Sequence, residues 1–95
     1  MKRGDTVAIV GAGPIGLAAL LTSRVHAPAE VILIDPDERR LQVATSLGAT
    51  KAVNSSGGHA AEMVLDLTGG AGVDVAIESL GVPASFDLCQ SILAP

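Results

Sequence analysis

At 95 residues the chain is long enough for one small domain and no more. Its composition, 48% hydrophobic against 17% charged, excludes a disordered chain, and a net charge of −4 argues against a nucleic-acid partner. With Phe86 as the one aromatic residue the core has to be aliphatic, and an acidic protein of this kind needs a local positive device to hold an anion.

In chain order, Thr6 to Val10 is a β-branched apolar run that predicts a strand buried on both faces. Pro14 suits the first turn of a helix. Ile15 to Val25 predicts a helix with Ile, Leu and Ala on nearly every side, and hence a largely buried one. Val31 to Ile34 reads as a second buried strand. Asp35-Pro36-Asp37-Glu38 is a helix-start signature, with candidate caps, a proline and acids in the first turn. Leu41, Ala44 and Leu47 form one apolar stripe, and Gly48 ends that helix. Lys51 to Asn54 is a third strand and Ser55 to His59 a loop. Ala60 to Leu67 is a third helix with Met63, Val64 and Leu67 on one face. After the turn Gly69-Gly70-Ala71-Gly72, Val73 to Glu78 predicts a fourth strand, and Gly81-Val82-Pro83 opens a fourth helix to Ile92. Strand and helix thus alternate four times, which predicts an α/β, Rossmann-type parallel sheet with helices on both faces.

Lys2-Arg3 ahead of the apolar stretch Val7 to Leu21 imitates a secretory leader. Asp5 interrupts the basic start, however, and Pro14 and three glycines break the apolar run, which is short of a span of about 20 residues. The expectation is a cytoplasmic protein with no membrane partner. Cys89 stands alone, so neither an intrachain disulfide nor a thiolate cluster is available.

The chemistry is carried by Gly11-Ala12-Gly13-Pro14-Ile15-Gly16, a GxGxxG turn. Gly11 permits the tight turn off the strand, Gly13 lets backbone approach a pyrophosphate, and Gly16 lets the helix pack on the strand. The helix start supplies unpaired N–H groups and about half a positive charge, the local device an acidic protein needs. GxGxxG alone is a weak signal. Here it follows a strand, opens a helix, and is followed by an acid at the end of the second strand. That acid, Asp35, can accept the ribose hydroxyls of an adenosine and repels a 2′-phosphate, which favours NAD over NADP. Capping of the next helix is the alternative role, compatible with the first. Arg39 and Arg40 keep NADP open, although a solvated helix face also accounts for Arg39.

Gly4-Asp5-Thr6-Val7, the glycine turn, Ile34-Asp35, Leu47-Gly48-Ala49-Thr50, Gly69 to Val75 and Glu78-Ser79-Leu80-Gly81 occur in this order. Together they resemble the cofactor domain of the zinc-containing alcohol dehydrogenases, in the medium-chain dehydrogenase/reductase family. The resemblance covers essentially the whole chain. It implies an NAD-binding part of an enzyme that moves hydride between an alcohol or polyol and NAD. By that resemblance the backbone at Pro14 and Ile15 meets the pyrophosphate. Asp35 and Arg40 reach the adenosine ribose, and Ser79, Leu80 and Gly81 border the cofactor, an ordinary strand exit being the plainer reading of that last turn.

The departures concern the catalytic part. The resemblance implies a catalytic domain that carries zinc, and the expectation is that residues 1–95 are an incomplete dinucleotide-binding domain without it. A catalytic zinc needs three protein ligands, whereas Cys89, His26 and His59 are far apart and lack ligand spacing, so neither catalytic nor metal-binding residues are expected here. Relatives continue past Ala94-Pro95 into two further strands. Without them, Val73 to Glu78 is expected to be an edge open to self-association, and Phe86, Leu88 and Ile92 to be partly exposed. Two other functions fit less well: a stand-alone NAD-sensing module, and a flavoprotein nucleotide domain, for which Glu would be usual at position 35.

Overall fold

The computed structural model describes all 95 residues, Met1–Pro95. Four strands, β1 (Thr6–Val10), β2 (Glu30–Asp35), β3 (Lys51–Asn54) and β4 (Val75–Glu78), alternate with four helices, α1 (Pro14–Ser23), α2 (Glu38–Ser46), α3 (Ala60–Leu67) and α4 (Pro83–Ile92). Every pairing is parallel and the sheet order is β3-β2-β1-β4, the Rossmann-type arrangement the alternation predicts.

The two-residue strand period divides the core in two. Val7, Ile9, Val31 and Leu33 pack with Leu20 of α1 and with Leu41 and Ala44 of α2. Ala8, Val10, Ile32, Ile34 and Val53 pack on the other face with Val64 of α3 and with Cys89 and Ile92 of α4. Helices cover both faces, so β1 and β2 read as unbroken apolar runs rather than alternating ones. Each large aliphatic side chain buried this way contributes roughly 1.5–3 kcal/mol. Both layers hold the sheet, and its carboxyl end carries the turns described below.

Four local expectations are corrected. α1 is not largely buried: only Gly16, Leu20 and Ser23 are, while Ile15 is 70% exposed. A helix that is apolar all round gives no period from which to choose a face; the close approach of Gly16 to β1 chooses it. The helix also stops at Ser23, and Arg24–His26 form a short 3₁₀ turn. In α3 the buried residues are Ala60 and Val64, one turn apart, and Met63 and Leu67 are about half exposed. The segment after Asn54 is not plain loop, since Ser55–Gly57 form a 3₁₀ turn with the Asn54 side chain accepting the amide of Ser56 at 2.9 Å.

The fourth correction is at β4, which begins at Val75 rather than Val73. Val73 pairs instead with Leu93 in an isolated parallel bridge. Its amide donates to the carbonyl of Ile92, and the amide of Ala94 donates back to Val73, both at 2.8 Å. The chain leaving α4 thereby turns alongside β4. Ile92 packs in the core with Val73 and is fully buried, against the expectation of partial exposure; Phe86 does remain exposed and Leu88 half-buried.

A cavity of about 260 Å3 opens at the amino ends of the strands, among Thr6, Glu30, Lys51, Thr68, Asp74 and Ala94. Much of its polar lining is engaged within the protein. Glu30 accepts from the Thr50 hydroxyl, Asp74 from the amide of Thr6, and Thr68 from the amide of Gly72. It lies at the opposite end of the sheet from the glycine turn.

Candidate nucleotide-binding site

Between β1 and α1 lie only Gly11, Ala12 and Gly13, and the three glycines of the motif have different reasons to be glycine. Gly11 has φ +107°, a left-handed conformation, and donates its amide to the carbonyl of Ile34 at 2.7 Å. A Cβ there would run into the Ser79 hydroxyl and would stand 3.0 Å from the Leu80 side chain. A Cβ on Gly16 would overlap the carbonyl oxygen of Gly11 and lie 2.8 Å from its carbonyl carbon. Gly13 is unlike both. Its φ of −77° and ψ of −170° suit any residue, and the only atom near a Cβ there would be Nη1 of Arg40, at 3.8 Å. Folding demands glycine at 11 and 16 but leaves open space at 13.

Gly13 is also the N-cap of α1. No side chain caps the helix, and Pro14 occupies its first turn. The first-turn amides therefore face the same open space as Gly13, with the partial positive charge of a helix start. Ile15 lies exposed beside them.

Asp35 ends β2 and is 2% exposed. One carboxylate oxygen accepts the amide of Ala12 at 2.9 Å, the other the amide of Asp37 at 2.8 Å. Its charge thus pins the glycine turn to the entry of α2. A carboxylate offers about four acceptor positions, so each oxygen retains one after these bonds. The cap of α2 is Asp37, not Asp35: it accepts the amides of Arg39 at 2.9 Å and Arg40 at 3.4 Å. Asp37 thus takes the capping role that the sequence left open for Asp35. The Arg40 guanidinium reaches toward Gly13, so the fold brings Asp35, Arg40 and the glycine turn together; Arg39 and Arg40 are both exposed on α2.

The Ser79-Leu80-Gly81 turn leaves β4 beside the same glycines. The Ser79 hydroxyl approaches the carbonyls of Val10 at 2.7 Å and Gly11 at 3.2 Å. Leu80 is half exposed, and Gly81 takes φ +74°. All ten residues singled out in the sequence therefore lie at the carboxyl ends of β1, β2 and β4 or in the helices that follow.

Glu78 opens the Glu78-Ser79-Leu80-Gly81 motif, but the sequence gave it no role of its own. One of its oxygens accepts from the amides of Leu80 and Gly81, each at 2.6 Å, and from the Ser85 hydroxyl at 2.7 Å. These bonds, the Ser85 hydroxyl first and the Gly81 amide next, hold its carboxyl below the usual carboxylate range. The available signal was a glutamate at a strand end with glycine three residues on and serine seven residues on. Beneath it, burial and the Glu78 charge push the Cys89 thiol up. No three of the His, Cys, Asp and Glu side chains converge as metal ligands, so the residues of this chain do not fit a zinc ion.

A parallel β3-β2-β1-β4 sheet, with a glycine turn after its first strand and an acid ending its second, defines a Rossmann-type α/β domain. The chain belongs to the zinc-binding dehydrogenase family, whose model matches residues 14–95. It is 40% identical over its full length to an alcohol dehydrogenase of Cupriavidus necator, of which it covers 26%. Over 99% of its length it is 37% identical to a sorbitol dehydrogenase of Bacillus subtilis, again covering 26%. The structure of zinc dependent alcohol dehydrogenase 2 from Streptococcus pneumonia, in its apo form, superposes with a TM-score of 0.95. It is 53% identical over 98% of this chain, which spans 27% of it. The chain thus spans about a quarter of the length of these relatives.

Proposed function

We propose that residues 1–95 form the NAD-binding domain of a dehydrogenase that oxidises an alcohol or polyol. The observation that carries this reading is Gly13. Its conformation is open to any residue and no protein atom fills the place of its side chain, so no steric contact within the fold requires the glycine. A ligand that must touch backbone does, and the adjoining helix start favours an anionic one such as a diphosphate.

Each named residue then has a role. The uncapped amides at Ile15 and Gly16 donate to diphosphate oxygens, and Gly11 and Gly16 give the turn its shape. Asp35 orients an adenosine ribose with its remaining acceptor positions and disfavours a 2′-phosphate. Arg40 supplies positive charge beside Gly13. Ser79, Leu80 and Gly81 border the rest of the cofactor. NAD, when bound, supplies the acceptor for the two electrons and hydrogen that leave the alcohol carbon as hydride. The substrate classes are those named for the relatives, an alcohol or a polyol such as sorbitol. The lone, buried Cys89 thiol fits a reducing, cytoplasmic setting.

Titration calorimetry of the chain with NADH, NADPH and FAD tests this reading, and NADH fluorescence can be followed because the chain has no tryptophan. The expected result is one NADH site, weaker binding of NADPH, and none of FAD. Absence of NADH binding, or tighter binding of FAD, overturns it.

A further inference from the structure

The two turns at the carboxyl end of the sheet are joined by a specific chain of hydrogen bonds. Three donors converge on one oxygen of Glu78: the amides of Leu80 and Gly81 and the hydroxyl of Ser85. That grip fixes the turn leaving β4. Ser79, at its first position, then crosses to β1. Its amide donates to the carbonyl of Val10 at 3.1 Å, and its hydroxyl reaches the carbonyls of Val10 and Gly11. The same hydroxyl stands against the positions where Gly11 and Gly16 would carry a Cβ, at 3.2 Å for Gly16. The hydroxyl proton is directed at protein, not at the open space by Gly13.

We propose that Glu78 and Ser79 form a positioning brace in which Glu78 fixes the turn at 79–81 and the Ser79 hydroxyl transmits that position to Gly11 and Gly16, setting the height of the diphosphate-binding turn. This rests on the nucleotide reading above and deepens it. Ser79 acts on the nucleotide through Gly11, and Glu78 acts through Ser79. The alternative is that Glu78 does no more than cap α4, whose N-cap, Val82, has no side-chain cap of its own.

Two consequences separate the brace from a cap. A brace in series makes the two residues non-additive, since removing either end releases the same contact. It also places the loss on ligands that carry a diphosphate, because the Ser79 hydroxyl meets Val10 and Gly11 and makes no bond to Asp35 or Ala12. The chain and its Ser79→Ala, Glu78→Ala and double variants are titrated with ADP-ribose and with adenosine. Each single variant should weaken ADP-ribose by roughly fivefold, as expected for one hydrogen bond. The double variant should match the singles, and adenosine should stay within about twofold throughout. Ser79→Thr, which keeps the hydroxyl, should restore ADP-ribose binding relative to Ser79→Ala. Additive losses, equal losses for adenosine, or no loss overturn the brace.

Amide exchange in the ligand-free chain reads the brace without any nucleotide. Exchange at Gly11 and Ala12, whose amides donate to Ile34 and Asp35, should quicken in both single variants while β2 and β3 are unchanged; unchanged exchange at these two amides overturns it. If Glu78→Ala does not fold, Glu78→Gln, which keeps an acceptor oxygen, takes its place with a smaller expected effect. Failure of the unsubstituted chain to bind ADP-ribose counts against the nucleotide reading itself, and the exchange result still decides the brace.

Discussion

Gly16 sits so close to Gly11 that a Cβ on Gly16 would overlap the Gly11 carbonyl oxygen, whereas a Cβ on Gly13, three residues earlier, would stand clear of all protein but one arginine nitrogen. The contact between Gly16 and Gly11 is backbone against backbone, which neither can vacate without moving α1 off the sheet. Stability and ligand binding are thereby assigned to different glycines of one motif.

Gly16→Ala should lower the melting temperature by more than about 10 °C, as overpacking at an unyielding site costs about 3 kcal/mol or more in a domain of this size. Gly13→Ala should leave stability within about 1 kcal/mol. The poorer helix cap is offset by the lower entropy of the unfolded chain. NADH binding should nevertheless fall sharply in Gly13→Ala and vanish in Gly13→Val. Thermal melts paired with NADH titration check both, and a Gly13→Ala chain that binds normally would contradict the assignment.

Asp35 should show in two measurements at once. Because its oxygens hold the amides of Ala12 and Asp37 in a buried setting, Asp35→Asn turns an amide N–H₂ toward one of these donors. The loss of one such bond should cost about 1–3 kcal/mol. Removing the carboxylate charge should also narrow the preference for NADH over NADPH, by roughly tenfold. Denaturant melts and the ratio of the two dissociation constants separate these effects. An unchanged ratio would remove Asp35 from cofactor choice while leaving its structural part intact.

Glu78 should make stability depend on acid pH. Its carboxyl is held below the ordinary value of 4.5 by the Ser85, Gly81 and Leu80 donors. A depressed folded-state value means that the contribution is fully present above the ordinary carboxyl range and is lost as pH falls through the lowered one. The melting temperature should thus drop as pH falls from about 5 toward 3, and that drop should be shallower in Glu78→Gln. Identical profiles for the two proteins would show that the three donors favour the charged and neutral forms equally.

In residues 1–95 taken by themselves, β4 should drive self-association. It is an edge of the sheet, and its sequence Val75-Ala76-Ile77-Glu78 carries no proline or lysine to discourage pairing. Leu93 and Ala94 cover only the Val73 end. Phe86 is 56% exposed on the neighbouring helix. Light scattering at micromolar concentration should report dimers or larger species, and a monodisperse monomer would contradict this. Ala76→Lys should destabilise the fold rather than block the edge, because Ala76 packs on the core beneath.

The fold class was legible in the sequence, because it rests on local patterns. Short β-branched runs ended by glycine mark strands covered on both faces. Their regular alternation with helices leaves parallel crossovers as the available topology. The glycine spacing and the acid ending β2 mark the carboxyl end as the place of the candidate site. Tertiary structure alone decided what depends on atoms far apart in sequence. α1 is apolar on every side, and only the contact of Gly16 with Gly11 shows which side is buried. Asp35 was legible as an acid at a strand end, but that it ties Ala12 to Asp37 requires β1 and α2 to meet. Glu78 stood in a legible motif but without a role, since its three donors acquire meaning only once the turn after β4 closes over it. Ile92 is buried among residues of β1, α3 and α4 and against Val73, to which the backbone beyond it returns by hydrogen bonds that no local period encodes.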